Sequence, residues 1–363
     1  MKLSSLVTLA LALARGVEAV VPATTPGTFT IDSFTFDTGE TLANLTIHYQ
    51  TIGQLRVANG RSNAVLVLHS TTGLADALLV EDFAGQLFNP GQVLDTTKYF
   101  IILPDAIGHG NTSKPSSTGL RARFPGYQYS DMVRANYRLV TEHLGIPRLR
   151  LVMGVSMGGM HTWLFGTRYP TLADALMPIA CLPAAIAGQN REWRKFAIEL
   201  IRHDPAWQGG DYTSQPVGGL GGAVILLQLM GNAPLALQHK YPNRTAVDAF
   251  VDGLMPRVNL SDANDVMYAW NSSATYNPEP DLGQISVPLT AVNTADDMIN
   301  PPALGIFEHI AEKIKPGLAK TVLLPLSNDT VGHGSYLLAK LWKDELADLL
   351  TRSECQEECL VSP

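Results

Sequence analysis

The sequence predicts an α/β fold in which a mostly parallel central sheet carries helices on both faces and a helical cap is inserted into the chain. Three observations predict it. Short apolar runs recur along the chain, helical patterns separate most of them, and the alternation stops between residues 182 and 286 before resuming. Runs of this kind are buried on both faces, as parallel strands covered by crossover helices must be.

Residues 29–36 and 45–52 alternate apolar and polar side chains and are read as a pair of antiparallel edge strands. The apolar runs at residues 64–69, 99–103, 149–153, 175–179, 289–292 and 321–324 are too short for helices and are read as the parallel core. Helical patterns occupy residues 131–144, 157–169, 303–315 and 336–350. Functional groups on such a sheet are expected on loops at the carboxyl ends of its strands. The region 182–286 reads as amphipathic helices with Pro- and Gly-rich joints, a lid over that edge. Its Gly218-Gly219-Leu220-Gly221-Gly222 follows no strand, so it is read as a hinge or a close helix contact and not as a phosphate loop. The expected organisation is a signal peptide over 1–19, core over 20–181, cap over 182–286 and core again over 287–363.

Composition bounds the function. With 363 residues, 46% hydrophobic and 16% charged, the chain can bury a large core. A formal charge of −7 without a basic patch argues against nucleic acid and anionic membranes as partners. Lys2, the apolar run 3–14 and the small-residue site Val17-Glu18-Ala19 read as a signal peptide. No later segment is apolar for long enough to span a bilayer, so no stable membrane insertion is expected. Acceptor sequons at Asn44, Asn111, Asn243, Asn259, Asn271 and Asn328 add to the expectation of a secreted or secretory-pathway glycoprotein. Cys355 and Cys359 are spaced for a local disulfide, and Cys181, after an apolar run, reads as a buried free thiol. No Cys/His pattern suggests a metal, no cofactor is expected, and oligomeric state has no signature.

The chemistry centres on Gly154-Val155-Ser156-Met157-Gly158-Gly159, where an apolar run enters a helix-forming segment. A sharp strand-to-helix turn leaves no room for side chains at Gly154 and Gly158, and it exposes the Ser156 hydroxyl. The Met157 N–H then lies at a helix N-terminus, where developing negative charge is favoured. A second oxyanion donor is expected from His69-Ser70-Thr71-Thr72-Gly73, through the Thr71 N–H. Of nine histidines, His333 in Gly332-His333-Gly334-Ser335 follows the last strand and opens the last helix, which suits a base for Ser156. The acid lies in Ala295-Asp296-Asp297-Met298-Ile299-Asn300-Pro301-Pro302, where Asp296 and Asp297 compete. His161, one turn into the helix after Ser156, is read as a satisfied helix histidine.

These stretches resemble the homoserine O-acetyltransferase family within the α/β-hydrolase superfamily, over most of the chain past residue 19. The likeness rests on His69-Ser70-Thr71-Thr72-Gly73, Gly154-Val155-Ser156-Met157-Gly158-Gly159, Asp297-Met298-Ile299-Asn300-Pro301-Pro302, Gly332-His333, and the cap motif Asp204-Pro205-Ala206-Trp207-Gln208-Gly209-Gly210-Asp211-Tyr212. It implies an α/β-hydrolase fold with a Ser-Asp-His chain order, and aligning the prolines favours Asp297 as the acid. It also implies an arginine for the acceptor's carboxylate, with Arg191, Arg194 and Lys195 as candidates. The loop Pro104-Asp105-Ala106-Ile107-Gly108-His109-Gly110-Asn111-Thr112-Ser113 lacks the family's cysteine-containing Gly-rich pattern and looks like that of ordinary hydrolases. The leading expectation is therefore a serine hydrolase, esterase-like, acting on small-molecule esters or acyl compounds through Ser156, Asp297 and His333. The alternative is an O-acyltransferase that delivers the acyl group to an alcohol. A non-catalytic protein binding a ligand under the cap is disfavoured, because all triad elements occur in order.

Overall fold

An eight-stranded sheet organises the protein, in the order β1-β2-β6-β5-β7-β8-β9-β10. The computed structural model describes residues 21–254, 256 and 261–361, so the expected signal peptide and the sequon at Asn259 lie outside the described residues. Strands β1 (Thr25–Thr35) and β2 (Thr41–Ile52) form an antiparallel hairpin whose second strand pairs antiparallel with β6 (Phe100–Pro104). Only β1 is therefore an edge strand of the expected pair. A two-stranded hairpin, β3 (Val57–Ala58) with β4 (Arg61–Ser62), follows.

Strands β5 (Ala64–Leu68), β6, β7 (Leu151–Val155), β8 (Leu176–Ile179), β9 (Leu289–Thr294) and β10 (Ala319–Leu324) are parallel throughout. Their apolar runs follow from burial on both faces. Leu66, Leu68 and Val152 point into one core with α2 (Tyr129–Arg138) and α3 (Met157–Arg168). Val65, Val67, Leu151 and Met153 point into the other, beneath the short α1 (Ala84–Leu87) and the long C-terminal helix. The fold class expected from the alternation is the one observed.

Between β8 and β9 the chain forms α4 (Gly188–Arg202), α5 (Val217–Gly231), α6 (Pro234–Lys240), α7 (Arg244–Asp252) and α8 (Ala263–Asn271), with a separate small core that includes Ile198, Ile201, Leu220 and Trp270. The motif from Asp204 to Tyr212 ties these helices together. Asp204 accepts from the N–H groups of Ala206 and, at 2.8 Å, Gly219, while Asn264 joins Trp207 Nε1, the Gly210 carbonyl and the Tyr212 hydroxyl. A Cβ at Gly219 would lie 2.3 Å from the Leu200 carbonyl oxygen, so the glycine run serves close packing of α4 on α5. Among the described residues no single helix is long and apolar enough to cross a membrane.

Two expected helices differ. Residues 303–315 give only a 3-10 turn, Pro302–Leu304, and one α turn, α9 (Ile310–Lys313). Gly305, at φ +68°, ends the first turn in a left-handed conformation. The helix expected at 336–350 begins later, as α10 (Lys343–Val361), after two 3-10 turns that seat Trp342 in the core. That helix carries Cys355 and Cys359, whose side chains lie outside the described residues; Cys181 is a buried free thiol.

Gly219→Ala should lower the unfolding free energy by about 1–3 kcal/mol, because the added methyl meets backbone and not a movable side chain. Urea titration reads this, and a cost below about 0.5 kcal/mol would show that α4 and α5 have room to part.

Candidate active site

The turn from β7 into α3 sets the site. Ser156 sits at φ 53°, ψ −113°, a backbone that L-residues rarely adopt. It is held there by its own N–H on the Ile179 carbonyl at 2.8 Å and by the Gly158 N–H on the His69 carbonyl at 3.0 Å. A Cβ on Gly154 would stand 2.3 Å from Gly158 backbone atoms, and one on Gly158 would stand 2.1 Å from the Leu68 carbonyl oxygen. Glycine is the only residue that lets β5, β7 and α3 meet this closely.

His333 lies on the loop after β10, and its Nε2 is 2.8 Å from Ser156 Oγ. Its Nδ1 is 2.9 Å from Oδ2 of Asp297, on the loop after β9. All three side chains are buried, with Ser156 and His333 6% and 7% exposed. Asp297 also accepts from the N–H groups of Ile299 and Asn300, at 2.8 and 3.0 Å, and from Asn300 Nδ2. Burial alone would raise its pKa, but His333 and these donors more than offset that, and the carboxyl is held below its ordinary value. The two aspartates thereby separate: Asp296 is half-buried and accepts the Gly332 N–H at 3.0 Å, bracing the loop that carries His333.

The Met157 and Thr71 N–H groups donate to no protein acceptor among the described residues. Met157 is the first residue of α3, so its N–H has no partner within the helix. His69 is fully buried. Its Nε2 accepts the Ala106 N–H at 3.0 Å, so its proton lies on Nδ1 and donates to the Ser70 carbonyl at 2.8 Å. Burial, with a contribution from His109, pushes its pKa down to about 4, which keeps this tautomer in place near neutrality. A hydroxyl beside an imidazole, an imidazole beside a carboxylate, and two free N–H groups nearby are the parts needed for acyl transfer through a serine ester.

Several features had no signal in the sequence beyond residue type. Asp105 is buried and gathers the Ala75 N–H, the Asn111 N–H and His48 Nδ1 at 2.8, 3.0 and 3.0 Å, which locks the loop after β6. His161 differs from its reading as a satisfied histidine. Its ring is buried edge-on to Tyr129 at 4.8 Å, and its Nε2 has no partner among the described residues. Of the basic cap candidates, Lys195 pairs with Glu199, whereas Arg194 is 2% exposed with no carboxylate within ion-pair distance among the described residues. Arg194 instead donates to Asn190 and Ser273 and lies 5.1 Å over Trp270, and Asn190 touches the Ile299 carbonyl of the loop after Asp297. Arg191 keeps one buried guanidinium nitrogen without a partner among the described residues. Among the described residues no group of three or more His, Cys, Asp or Glu side chains is placed to hold a metal ion.

The alpha/beta hydrolase fold family matches residues 63–316. The chain is 30% identical over 349 residues to the homoserine O-acetyltransferase of Geotalea uraniireducens, taking in 84% of this chain and 92% of that one. It is 33% identical over 358 residues to that of Chlorobaculum parvum, covering 90% and 92%. Among solved structures, the acetyl esterase MekB superposes with a TM-score of 0.78 at 26% identity, covering 90% of this chain and 97% of that one. The relatives overturn the expectation of a secreted or secretory-pathway glycoprotein with a signal peptide, since the matches spanning nearly the whole chain are bacterial homoserine O-acetyltransferases. Several sequon residues have structural uses instead: Asn243 caps α7 through the Ala246 N–H, and Ser113 Oγ accepts the Thr46 N–H.

His161 yields a pH prediction. Burial drives its pKa well below the ordinary 6.5, so the folded state binds fewer protons than the unfolded chain, and stability falls as pH drops below 6.5. His161→Phe should therefore lose less stability than wild type between pH 6.5 and about 5, read by urea titration at each pH. Parallel losses in both proteins would contradict it.

Proposed function

Because the chain belongs to the homoserine O-acetyltransferase family of the alpha/beta hydrolase fold, we propose that it transfers a short acyl group through an ester on Ser156 to an alcohol acceptor. The observation that supports this most is the buried imidazole of His333, bonded at once to Ser156 Oγ at 2.8 Å and to Asp297 at 2.9 Å.

In the first half-reaction His333 Nε2 takes the Ser156 proton as Oγ attacks the carbonyl carbon of the acyl donor. The tetrahedral oxyanion rests on the Met157 and Thr71 N–H groups, each such donor being worth about 10²–10³ in rate. Asp297 accepts the Nδ1–H and stabilises the imidazolium that forms. Collapse returns the proton from Nε2 to the departing group. In the second half His333 deprotonates the acceptor hydroxyl, whose oxygen attacks the acyl carbon, and Ser156 leaves with its proton restored.

An alcohol acceptor is favoured by the names of the curated relatives and by a feature of the cap. Arg194 is a buried cation without a carboxylate partner among the described residues, beside a residue that touches the loop after Asp297, and it suits an acceptor that brings its own carboxylate. The second reading is hydrolysis, with water as acceptor, and it is favoured by the 26% identity to the acetyl esterase MekB over nearly the whole chain.

Ser156→Ala should abolish labelling by a fluorophosphonate probe, and His333→Ala should lower kcat for p-nitrophenyl acetate at least about 10⁴-fold. Normal turnover by either variant would overturn the assignment. Product analysis with the same ester and added homoserine separates the readings. Acyl capture at millimolar acceptor supports transfer, whereas free acid as the dominant product at every acceptor concentration supports the hydrolase.

A further inference from the structure

The loop after β6 contributes a histidine for which the reaction above has no use. His109 is buried, and its Nε2 lies 2.7 Å from the Thr71 carbonyl oxygen. Its Nδ1 faces the Ile107 carbonyl at 3.0 Å. Full burial lowers its pKa, so the neutral ring has one N–H, which the shorter contact assigns to Nε2.

The loop holds this ring from several sides. Gly110, at φ +51°, lies so close to Asp105 that a Cβ would stand 2.1 Å from Oδ2, and Asp105 accepts the Asn111 N–H beside it. The His109 N–H bonds to the Ala106 carbonyl at 2.9 Å, and the His109 carbonyl accepts the Thr112 N–H at 3.1 Å. The same Asp105 carboxylate accepts the Ala75 N–H, from the segment that follows the Thr71 loop. The two loops are therefore fastened to each other through the Asp105 side chain and the His109 ring.

Thr71 stands between two planar peptide units. The unit before it contains the Ser70 carbonyl and the Thr71 N–H, and its carbonyl is held by His69 Nδ1 at 2.8 Å and the Gly73 N–H at 2.9 Å. The unit after it contains the Thr71 carbonyl, held by His109. The bonds to the Ser70 carbonyl set the plane that carries the Thr71 N–H, and the His109 bond to the Thr71 carbonyl holds the far side of the Thr71 Cα, so that this plane resists rocking about the Ser70 oxygen.

We infer that His109 is a positioning residue for the oxyanion site: its Nε2–H holds the Thr71 carbonyl and so keeps the Thr71 N–H aimed at the carbonyl oxygen of the acyl group attacked by Ser156. The inference rests on the reading of Ser156 and Thr71 proposed above. His109 touches no reacting atom and exchanges no proton in the reaction. Its effect is confined to charge that develops in the transition state, so it acts on the rate and leaves ground-state binding almost unchanged.

The test compares His109→Leu, His109→Gln and His109→Asn with wild type, using p-nitrophenyl acetate turnover and the rate of fluorophosphonate labelling at Ser156. His109→Leu is expected to lower kcat and the labelling rate together by about 10- to 100-fold, with KM within about threefold. The amide of Gln reaches the position of Nε2 and should recover the rates to within about threefold, while the shorter Asn should remain slow. A KM increase at unchanged kcat, or Leu and Asn variants within about twofold of wild type, would overturn the inference. If His109→Leu does not fold, equal rates for the Gln and Asn variants overturn it. Wild-type protein that takes no label overturns the reading of Ser156 and this inference with it, whereas a labelled wild type with unaffected variants overturns the inference alone.

Discussion

The close approach of three backbone segments, the ends of β5 and β7 and the start of α3, is the constraint on which the rest of the site depends. Ser156 sits in a conformation that costs about 1–3 kcal/mol, and the surroundings hold it there through the Ile179 and His69 carbonyls. The strain has a chemical use. It lifts Oγ away from the sheet edge toward His333 and leaves the Met157 N–H unpaired at the end of a helix. Because Gly158 also bonds to His69, the same contact fixes where the Thr71 loop begins.

Two aspartate–histidine pairs occur near the carboxyl edge of the sheet, and comparing them shows what geometry adds to residue type. Asp105 with His48 and Asp297 with His333 are each joined through Nδ1 at about 3 Å, and both carboxylates are buried and fed by backbone N–H groups. Only His333 has a serine hydroxyl at its other nitrogen. The Asp105 pair instead fastens loops together. Buried carboxylates of this sort are tolerable because each is satisfied by several donors, and an unpaired one would be costly to keep charged.

The helices between β8 and β9 form a small core of their own around Ile198, Leu220 and Trp270, joined to the sheet layer near Ile299. Their packing is tight where glycine allows it, at Gly219 against Leu200, and elsewhere they leave Leu229 and Leu235 exposed. The Asp204 to Tyr212 motif serves this assembly through hydrogen bonds to Gly219 and Asn264, so its specificity as a sequence signature reflects architecture in the cap.

By itself the sequence determined the features that depend on near neighbours: the apolar runs of the parallel strands, the helix after Ser156, and the need for glycine on either side of that turn. Each is a local pattern of size, polarity or backbone freedom. Long-range packing decided the rest. The left-handed turn at Gly305 broke an expected helix, and core burial of Trp342 delayed another. Asp296 and Asp297 are adjacent and chemically alike, and only the position of the loop after β10 assigns one to the His333 ring and the other to the Gly332 N–H. His109 and Arg194 were visible as residues, yet their surroundings come from segments distant in the chain. A side chain's partners across the fold are set by how the layers meet, and no local periodicity encodes that meeting.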